Sequence, residues 1–193
     1  MASKAKRQIL ETAIDLFASE GYSGVGIREL AQAADVTPSS IFRLFESKEK
    51  LFDEVLETVV SSSLDPDEFS KLLEVGEKDL GQALHRALRR WYSSLTPRSA
   101  RLLAYSALST KEEWRELGFA RTLEISKRLA EGIQAQGQKS RKNKLDATAS
   151  ARTLILSLLH VRSSRSLIER GEKEREVVDR MIQQWIQGVT PLR

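Results

Sequence analysis

Short hydroxyl side chains and long basic side chains are grouped between positions 28 and 48 of this 193-residue chain. The group consists of Arg28, Thr37, Ser39, Ser40, Arg43 and Lys48. Hydroxyls and free backbone N–H groups at a helix start can meet base edges in the major groove of DNA. Guanidinium and ammonium groups bind the phosphates on either side. The group therefore predicts a contact with double-stranded DNA.

A helix-turn-helix is the element that would position these side chains. Residues 27–34 and 38–45 each place apolar residues at helical spacing, and three residues separate the two segments. A preceding apolar stripe predicts a helix over 3–20, with Gly21 as its C-terminal cap. Lys48 opens a further predicted helix, 48–63, where free N–H groups also favour a phosphate. A three-helix bundle that only packs is the alternative.

The amino-acid composition excludes several kinds of catalytic and metal site and limits how the chain can bind DNA. Cysteine is absent, and His85 and His160 are the two histidines, so disulfides, thiolate nucleophiles and Cys-type metal sites are excluded. The chain has a net charge of +4, but residues 1–64 hold 7 Lys and Arg against 10 Asp and Glu, a net of −3. DNA binding by this part must therefore depend on a local basic face.

The rest of the chain also predicts helices and no convincing strand, so the fold class is all-α. Thr37-Pro38, Asp65-Pro66 and Thr96-Pro97 each predict a helix start, because Thr and Asp accept N–H groups there and Pro fits the first position. Thr190-Pro191 predicts the end of the last helix. The C-terminal helices are predicted at 66–75, 79–95, 97–108, 110–136, 145–170 and 173–188, with an exposed loop at 137–143.

The stretch from Ile9 to Glu57 resembles the DNA-binding region of TetR-type (TetR/AcrR) transcriptional regulators. An apolar helix ending in Leu-Phe is followed by Gly-Tyr, the helix-turn-helix and Phe-x-x-Lys-x-x-Leu. The resemblance implies a recognition helix over 37–43, which adds Pro38 and Phe42 to the candidate DNA contacts, and a backbone contact from Lys48. It implies a three-helix DNA-binding domain over 1–60 and a helical ligand-binding and dimerisation domain over 61–193. No cofactor or metal is expected.

Three positions depart from the usual pattern of these regulators. Gly26 stands where a Thr commonly caps the helix, Asp35 replaces the common turn glycine, and Phe42 replaces a tyrosine hydroxyl. These departures bear on DNA affinity more than on the fold, and Lys4, Lys6 and Arg7 form a short basic arm that can compensate for lost contacts.

The last two predicted helices have broad apolar faces, which predict a homodimer built from both helices and their symmetry mates. The predicted interface residues are Leu154, Leu158, Val178, Met181, Ile182 and Trp185. Packing within the single chain is the alternative. Aromatic residues on three successive helices, with a histidine on an apolar helix, predict a pocket for a small molecule. The predicted lining is Trp91, Tyr92, Tyr105, Trp114, Phe119 and His160, and ordinary core packing is the alternative for each.

These observations predict a cytoplasmic, ligand-responsive transcriptional regulator that binds a palindromic operator as a homodimer. The resemblance implies a repressor, and an activator is the alternative to that role. The alternative is a helical ligand-binding adaptor that has lost specific DNA binding. An enzyme is not expected, because the sequence lacks G-x-S-x-G, a P-loop, H-E-x-x-H and G-x-G-x-x-G.

Overall fold

A computed structural model of the chain describes residues 2–74, 79–137, 146–164 and 168–189, and the ordered elements in these ranges are helices. The helices are α1 (Ala2–Gly24), α2 (Ile27–Ala33), α3 (Pro38–Phe45), α4 (Lys48–Ser62), α5 (Pro66–Glu74), α6 (Leu80–Ser94), α7 (Pro97–Ala107), α8 (Glu112–Gly137), α9 (Ala147–Ser164) and α10 (Glu174–Val189). The predicted all-α fold is confirmed. Apart from Gly137, the predicted loop lies outside the described residues.

Three of the four proline-containing pairs start helices as predicted. Thr37 Oγ1 accepts the N–H of Ser40 at 3.3 Å, and Thr96 Oγ1 accepts that of Ser99 at 3.0 Å. Asp65 Oδ1 accepts the N–H of Asp67 at 2.9 Å. The fourth pair, 190–191, lies outside the described residues.

The start of α8 and the end of α9 differ from the predicted positions. Thr110 does not start α8, which begins at Glu112, and Ser109 Oγ accepts the preceding free N–H, that of Lys111, at 3.1 Å. Helix α9 ends at Ser164 rather than at residue 170, and Gly171 follows with a φ of +96°. Its left-handed backbone suits a glycine in the connection to α10.

The first four helices form a small bundle around a shared apolar core. Ile9 and Phe17 of α1, Leu30 of α2, Ile41 of α3 and Leu51 of α4 are almost completely buried in it. Helix α1 is kinked at Gly21, whose φ of +75° is a backbone conformation that favours glycine, and it continues to Gly24 instead of ending at the predicted cap. A β-carbon at this glycine would also lie 3.4 Å from the Tyr105 ring of α7. This residue thus joins the small bundle to the helices that follow.

Helix α9 is the central element of the C-terminal helices, because it packs against α6, α7, α8 and α10. Its Ile155, Leu158 and Val161 are fully buried. The small bundle rests on this assembly through contacts of α1 with α7 and of α4 with both α7 and α8. No helix of the described part is both long and apolar enough to cross a membrane.

Candidate nucleic-acid interface

One side of helix α3 packs against the apolar core, and the opposite side faces solvent. Ile41 and Phe45, four residues apart, are buried against the core. Ser39, Phe42 and Arg43 lie on the opposite side and are exposed, with Phe42 at 47%. The outward side of α3 therefore combines a hydroxyl, a half-exposed aromatic ring and a guanidinium.

The first turn of α3 presents three hydroxyls together. Thr37 Oγ1 lies 2.9 Å from both Ser39 Oγ and Ser40 Oγ, while Pro38 occupies the first helical position. Thr37 and Ser39 are exposed and Ser40 is half-buried. Because these hydroxyls can donate or accept, the turn can adapt to different base edges or phosphate oxygens.

The turn before α3 is closed by backbone hydrogen bonds and one side chain. Asp35 has a φ of +53°, in the left-handed region where glycine is common. The N–H of Val36 donates to the carbonyl of Ala31 at 2.9 Å, and Gln8 Nε2 of α1 donates to the carbonyl of Ala34 at 2.9 Å. Asp35 thus adopts a left-handed backbone in a turn that is closed by its neighbours.

Gly26 precedes α2 in an extended conformation and supplies no capping side chain. Its own N–H donates to Glu29 Oε2 at 3.2 Å, which is half of a capping box. The first turn of α2 therefore keeps free N–H groups beside the exposed Arg28.

Two arginines at this surface are available for phosphates. Within the described part of the chain, neither Arg28 nor Arg43 forms an ion pair, and both are exposed. Lys6 differs, because its Nζ lies 2.7 Å from Glu54 and 5.4 Å from the centre of the Phe45 ring. Of the proposed basic arm, Lys4 and Arg7 are the exposed members.

Lys48 is the first residue of α4, and Ser47 caps that helix by accepting the N–H of Lys50 at 3.1 Å. The Lys48 ammonium lies over the Tyr22 ring, 4.3 Å from its centre. Partial burial lowers the pKa of Lys48 below its usual value. The lysine is thus held against the protein surface at a helix N-terminus.

Two features of the site were not predicted from the sequence. Glu46, between α3 and α4, has a φ of +64°, and nothing in its residue type signals that conformation. Tyr22, Phe52 and Trp114 form an aromatic cluster under Lys48, with Phe52 and Trp114 ring centres 4.5 Å apart. The sequence pattern contains the Gly-Tyr pair near the end of α1, but nothing in it indicates that Trp114 of α8 packs on this tyrosine.

The six predicted pocket residues lie in several different surroundings. Trp91 and Tyr92 are buried, and Tyr92 Oη donates to Glu174 Oε1 at 2.7 Å, a contact within the core of the C-terminal helices. Tyr105 and Trp114 both meet Phe52 at the junction with the small bundle. Phe119 is half-buried, and His160 is exposed on α9 rather than in an apolar core.

Four of the six predicted interface residues lie in the core of the chain itself. Leu154, Leu158, Val178 and Ile182 are buried without a partner chain. Met181 and Trp185 are half-buried, and Trp185 Nε1 donates to Ser150 Oγ at 2.8 Å. The outward side of α9 instead exposes Leu156, which is 45% accessible. The alternative of packing within the chain is therefore correct for the four buried residues.

Among the described residues, no three or more His, Asp or Glu side chains are arranged to hold a metal ion.

The N-terminal helices are similar in sequence to those of known regulators. Residues 9–55 match the family described as bacterial regulatory proteins, tetR family. The HTH-type transcriptional regulator LuxR of Vibrio harveyi is 39% identical over 57 residues, 30% of this chain and 28% of that protein. The probable acrEF/envCD operon repressor of Escherichia coli K12 is 32% identical over 83 residues, with 38% of each protein covered. The match thus spans about a third of these relatives.

Solved structures match over nearly the whole chain. The structure of AibR in complex with isovaleryl coenzyme A and operator DNA superposes with a TM-score of 0.74 at 19% identity, and 93% of this chain and 97% of that chain are covered. The TetR family regulator PfmR of Thermus thermophilus gives 0.69 at 19% identity, with 95% and 99% covered. At this level of identity the likeness establishes the shared fold.

Proposed function

Because residues 9–55 match the tetR family of bacterial regulatory proteins, we propose that this chain is a ligand-responsive transcriptional repressor that binds a palindromic operator as a homodimer. The observation that carries the proposal is the outward side of α3, where hydroxyls, Phe42 and Arg43 face solvent above a buried apolar side. Such a helix can enter a major groove by its N-terminal half.

The proposed DNA contacts are Arg28, Thr37, Pro38, Ser39, Ser40, Phe42, Arg43 and Lys48. The two arginines and Lys48 bind phosphates, and the first turn of α3 meets base edges. Phe42 offers an apolar contact, such as the one a thymine methyl group accepts. The domain that performs this task comprises residues 1–60.

Residues 61–193 form the proposed ligand-binding and dimerisation domain. The dimer is formed by the outward sides of α9 and α10, with Leu156 as its exposed apolar residue. A second copy is required, because two recognition helices about 34–36 Å apart meet successive major grooves. The effector is a small molecule, and its binding lowers operator affinity by favouring a different arrangement of the two recognition helices. The proposed function involves no catalytic activity. The proposed location is the cytoplasm.

The direct test is the anisotropy of labelled DNA from upstream of the protein's own gene, compared with scrambled DNA over a salt series. We expect tighter binding to the upstream DNA, saturation at two chains per site and a steep fall with salt. Arg43→Ala and Lys48→Ala should each weaken binding and reduce the salt slope by about 0.9 if each removes one phosphate contact.

Lys50→Ala is the matched control. Lys50 lies on the same helix turn as Lys48 but is exposed and pairs with Asp53 at 3.5 Å, so its removal should leave the slope unchanged. Equal weak binding to both DNAs, with no effect of Arg43→Ala, would contradict the proposal. A small-molecule ligand bound without any DNA preference would then favour the adaptor.

A further inference from the structure

The Tyr22 ring lies between the Lys48 ammonium and the indole of Trp114. Lys48 Nζ is 4.3 Å from the ring centre, and the Trp114 ring meets Tyr22 edge-on with 4.7 Å between the centres. Phe52 packs beside both, at 5.1 Å from Tyr22 and 4.5 Å from Trp114. A cation thus rests on a ring whose position is set by two further rings.

Trp114 is fixed by a hydrogen bond as well as by packing. It is 5% exposed, and its Nε1 donates to Asp53 Oδ1 at 2.7 Å. One turn earlier, Lys111 pairs with Glu49 and lies 4.6 Å from the centre of the indole. The start of α8 is therefore attached to the first two turns of α4, the helix that Lys48 opens.

We propose that Tyr22 is a positioning residue for Lys48, holding its ammonium ready for a DNA phosphate, and that Trp114 sets the place of the Tyr22 ring. The phosphate role rests on the proposed function. A lysine side chain has many rotamers, and the attraction between an ammonium and an aromatic face favours those that lie over the ring. The ammonium keeps N–H donors directed away from the ring, and these can bind the phosphate.

This arrangement gives the C-terminal helices direct influence over one DNA contact. Trp114 belongs to α8, whereas Tyr22 and Lys48 belong to the small bundle that holds the recognition helix. A conformation in which the start of α8 is displaced would release the Tyr22 ring and leave Lys48 without a fixed position. An effector that favours that conformation would weaken DNA binding without touching DNA or α3.

The free protein provides the first test, because ring currents shift the resonances of protons above an aromatic face. We expect the Lys48 Hε protons to be shifted upfield in the wild type and in Tyr22→Phe. The shift should be lost in Tyr22→Leu and reduced in Trp114→Leu. Unshifted Lys48 Hε protons in the wild type would overturn the proposal, whatever the folding of the variants.

The second test is a double-mutant cycle on the operator. Tyr22→Leu should lower affinity about 2- to 5-fold, the range of an exposed cation–aromatic contact, and Tyr22→Phe should not. In the Lys48→Ala background, Tyr22→Leu and Trp114→Leu should have no further effect, because the group they position is gone. Thermal unfolding shows which leucine variants are folded at the assay temperature.

The outcomes separate this proposal from the proposed function. If Tyr22→Leu raises affinity, or lowers it equally with and without Lys48, the positioning role is wrong while specific DNA binding stands. If the wild type shows no specific DNA binding, the proposed function fails and the phosphate role fails with it. The upfield shift of Lys48 would then remain as a contact without that role.

Discussion

Asp35 shows how one residue can satisfy a turn in place of glycine. Its φ of +53° lies in the left-handed region, which costs most L-residues about 1–2 kcal/mol and Asp and Asn less. The turn itself is held by bonds that do not involve its side chain, such as Val36 N–H to the carbonyl of Ala31. The cost of a substitution at position 35 should therefore reflect backbone preference.

We expect Asp35→Ala to lower the free energy of unfolding by about 1 kcal/mol, because alanine tolerates the left-handed backbone less well. Asp35→Gly and Asp35→Asn should be close to the wild type. Thermal unfolding measures the difference, about 2–4 °C for a chain of this size. If the alanine variant is as stable as the asparagine variant, the turn relaxes to another conformation.

Asp65 predicts a pH dependence at the start of α5. Its carboxylate accepts the backbone N–H of Asp67, which is the main cause of its lowered pKa, and Arg121 donates to it at 2.9 Å. A lowered folded pKa means that the stabilisation is complete above the unfolded value of about 3.9 and is lost as the pH falls through the lower folded value.

The test compares unfolding midpoints of the wild type and Asp65→Asn from pH 3 to 7. We expect a constant difference between about pH 5 and 7, and a smaller one below about pH 4, where the Asp65 carboxylate of the unfolded wild type takes up a proton before that of the folded protein. A difference that stays the same down to pH 3 would show that the charge of Asp65 contributes nothing.

Local residue chemistry explains which predictions succeeded. Thr37 and Thr96 cap helices as predicted, because a cap and its N–H partner lie within three residues along the chain. Trp114 was assigned to a pocket but packs on Tyr22, 92 positions earlier in the chain. No local pattern determines which of several apolar surfaces receives a given indole. The DNA-binding residues stay a prediction.

At the scale of elements, α7 and α8 cross closely at Gly118. A β-carbon there would lie 1.7 Å from Ser106 Oγ and 2.8 Å from Ser106 Cβ. Ser106 is fully buried and donates to the carbonyl of Leu103 at 2.8 Å, so it cannot turn aside freely. Gly118 therefore sets the distance between these two helices.

Gly118→Ala should lower the free energy of unfolding, because the overlap with Ser106, about 1–3 kcal/mol for overpacking, exceeds the gain of about 1 kcal/mol in helix propensity. Adding Ser106→Gly should restore much of the loss. Gly188→Ala is the matched control, since a β-carbon on this helical residue meets nothing within 4 Å. Denaturant unfolding measures all three. Equal effects at positions 118 and 188 would contradict the close crossing.

The broad apolar face of α9 predicted a dimer interface, but the position of this helix in the fold explains the width of the face. A helix with neighbours on several sides needs a wide apolar face even as a monomer, and α9 packs against α6, α7, α8 and α10. The spacing of apolar residues along the sequence indicates how wide the apolar face of a helix is, but not how many other helices pack against it. Leu154 and Leu158 are thus core residues, and Leu156 is the one large apolar residue that α9 exposes within its described range.

At the scale of the whole molecule, we expect Leu156→Glu to shift the proposed dimer towards monomers, because a charge would be buried at the interface without a partner. Leu123→Glu on α8 is the matched control, since both leucines are 45% exposed. Sedimentation velocity over a concentration series measures the effect. Equal self-association of the two variants would place the interface elsewhere.

The uneven charge of the chain is neutralised in part where the small bundle meets the C-terminal helices. Asp15 of α1 pairs with Arg98 of α7, and Glu49 of α4 pairs with Lys111 just before α8. In these two ion pairs, acidic side chains of the N-terminal part bind basic side chains of the C-terminal part. This leaves Arg28 and Arg43 as cations of the small bundle that form no ion pair within the described residues.

The three tryptophans occupy three separate environments. Trp91 is 1% exposed in the core of the C-terminal helices, and Trp185 on α10 is bonded to Ser150. Trp114 lies beside an ammonium and a tyrosine ring. The fluorescence emission of an indole depends on nearby charge and on solvent. The unlabelled protein therefore carries a fluorescent reporter, Trp114, where the small bundle meets the C-terminal helices. With Trp91 and Trp185 replaced by phenylalanine, the wavelength and intensity of Trp114 fluorescence alone could report which compounds of a library bind.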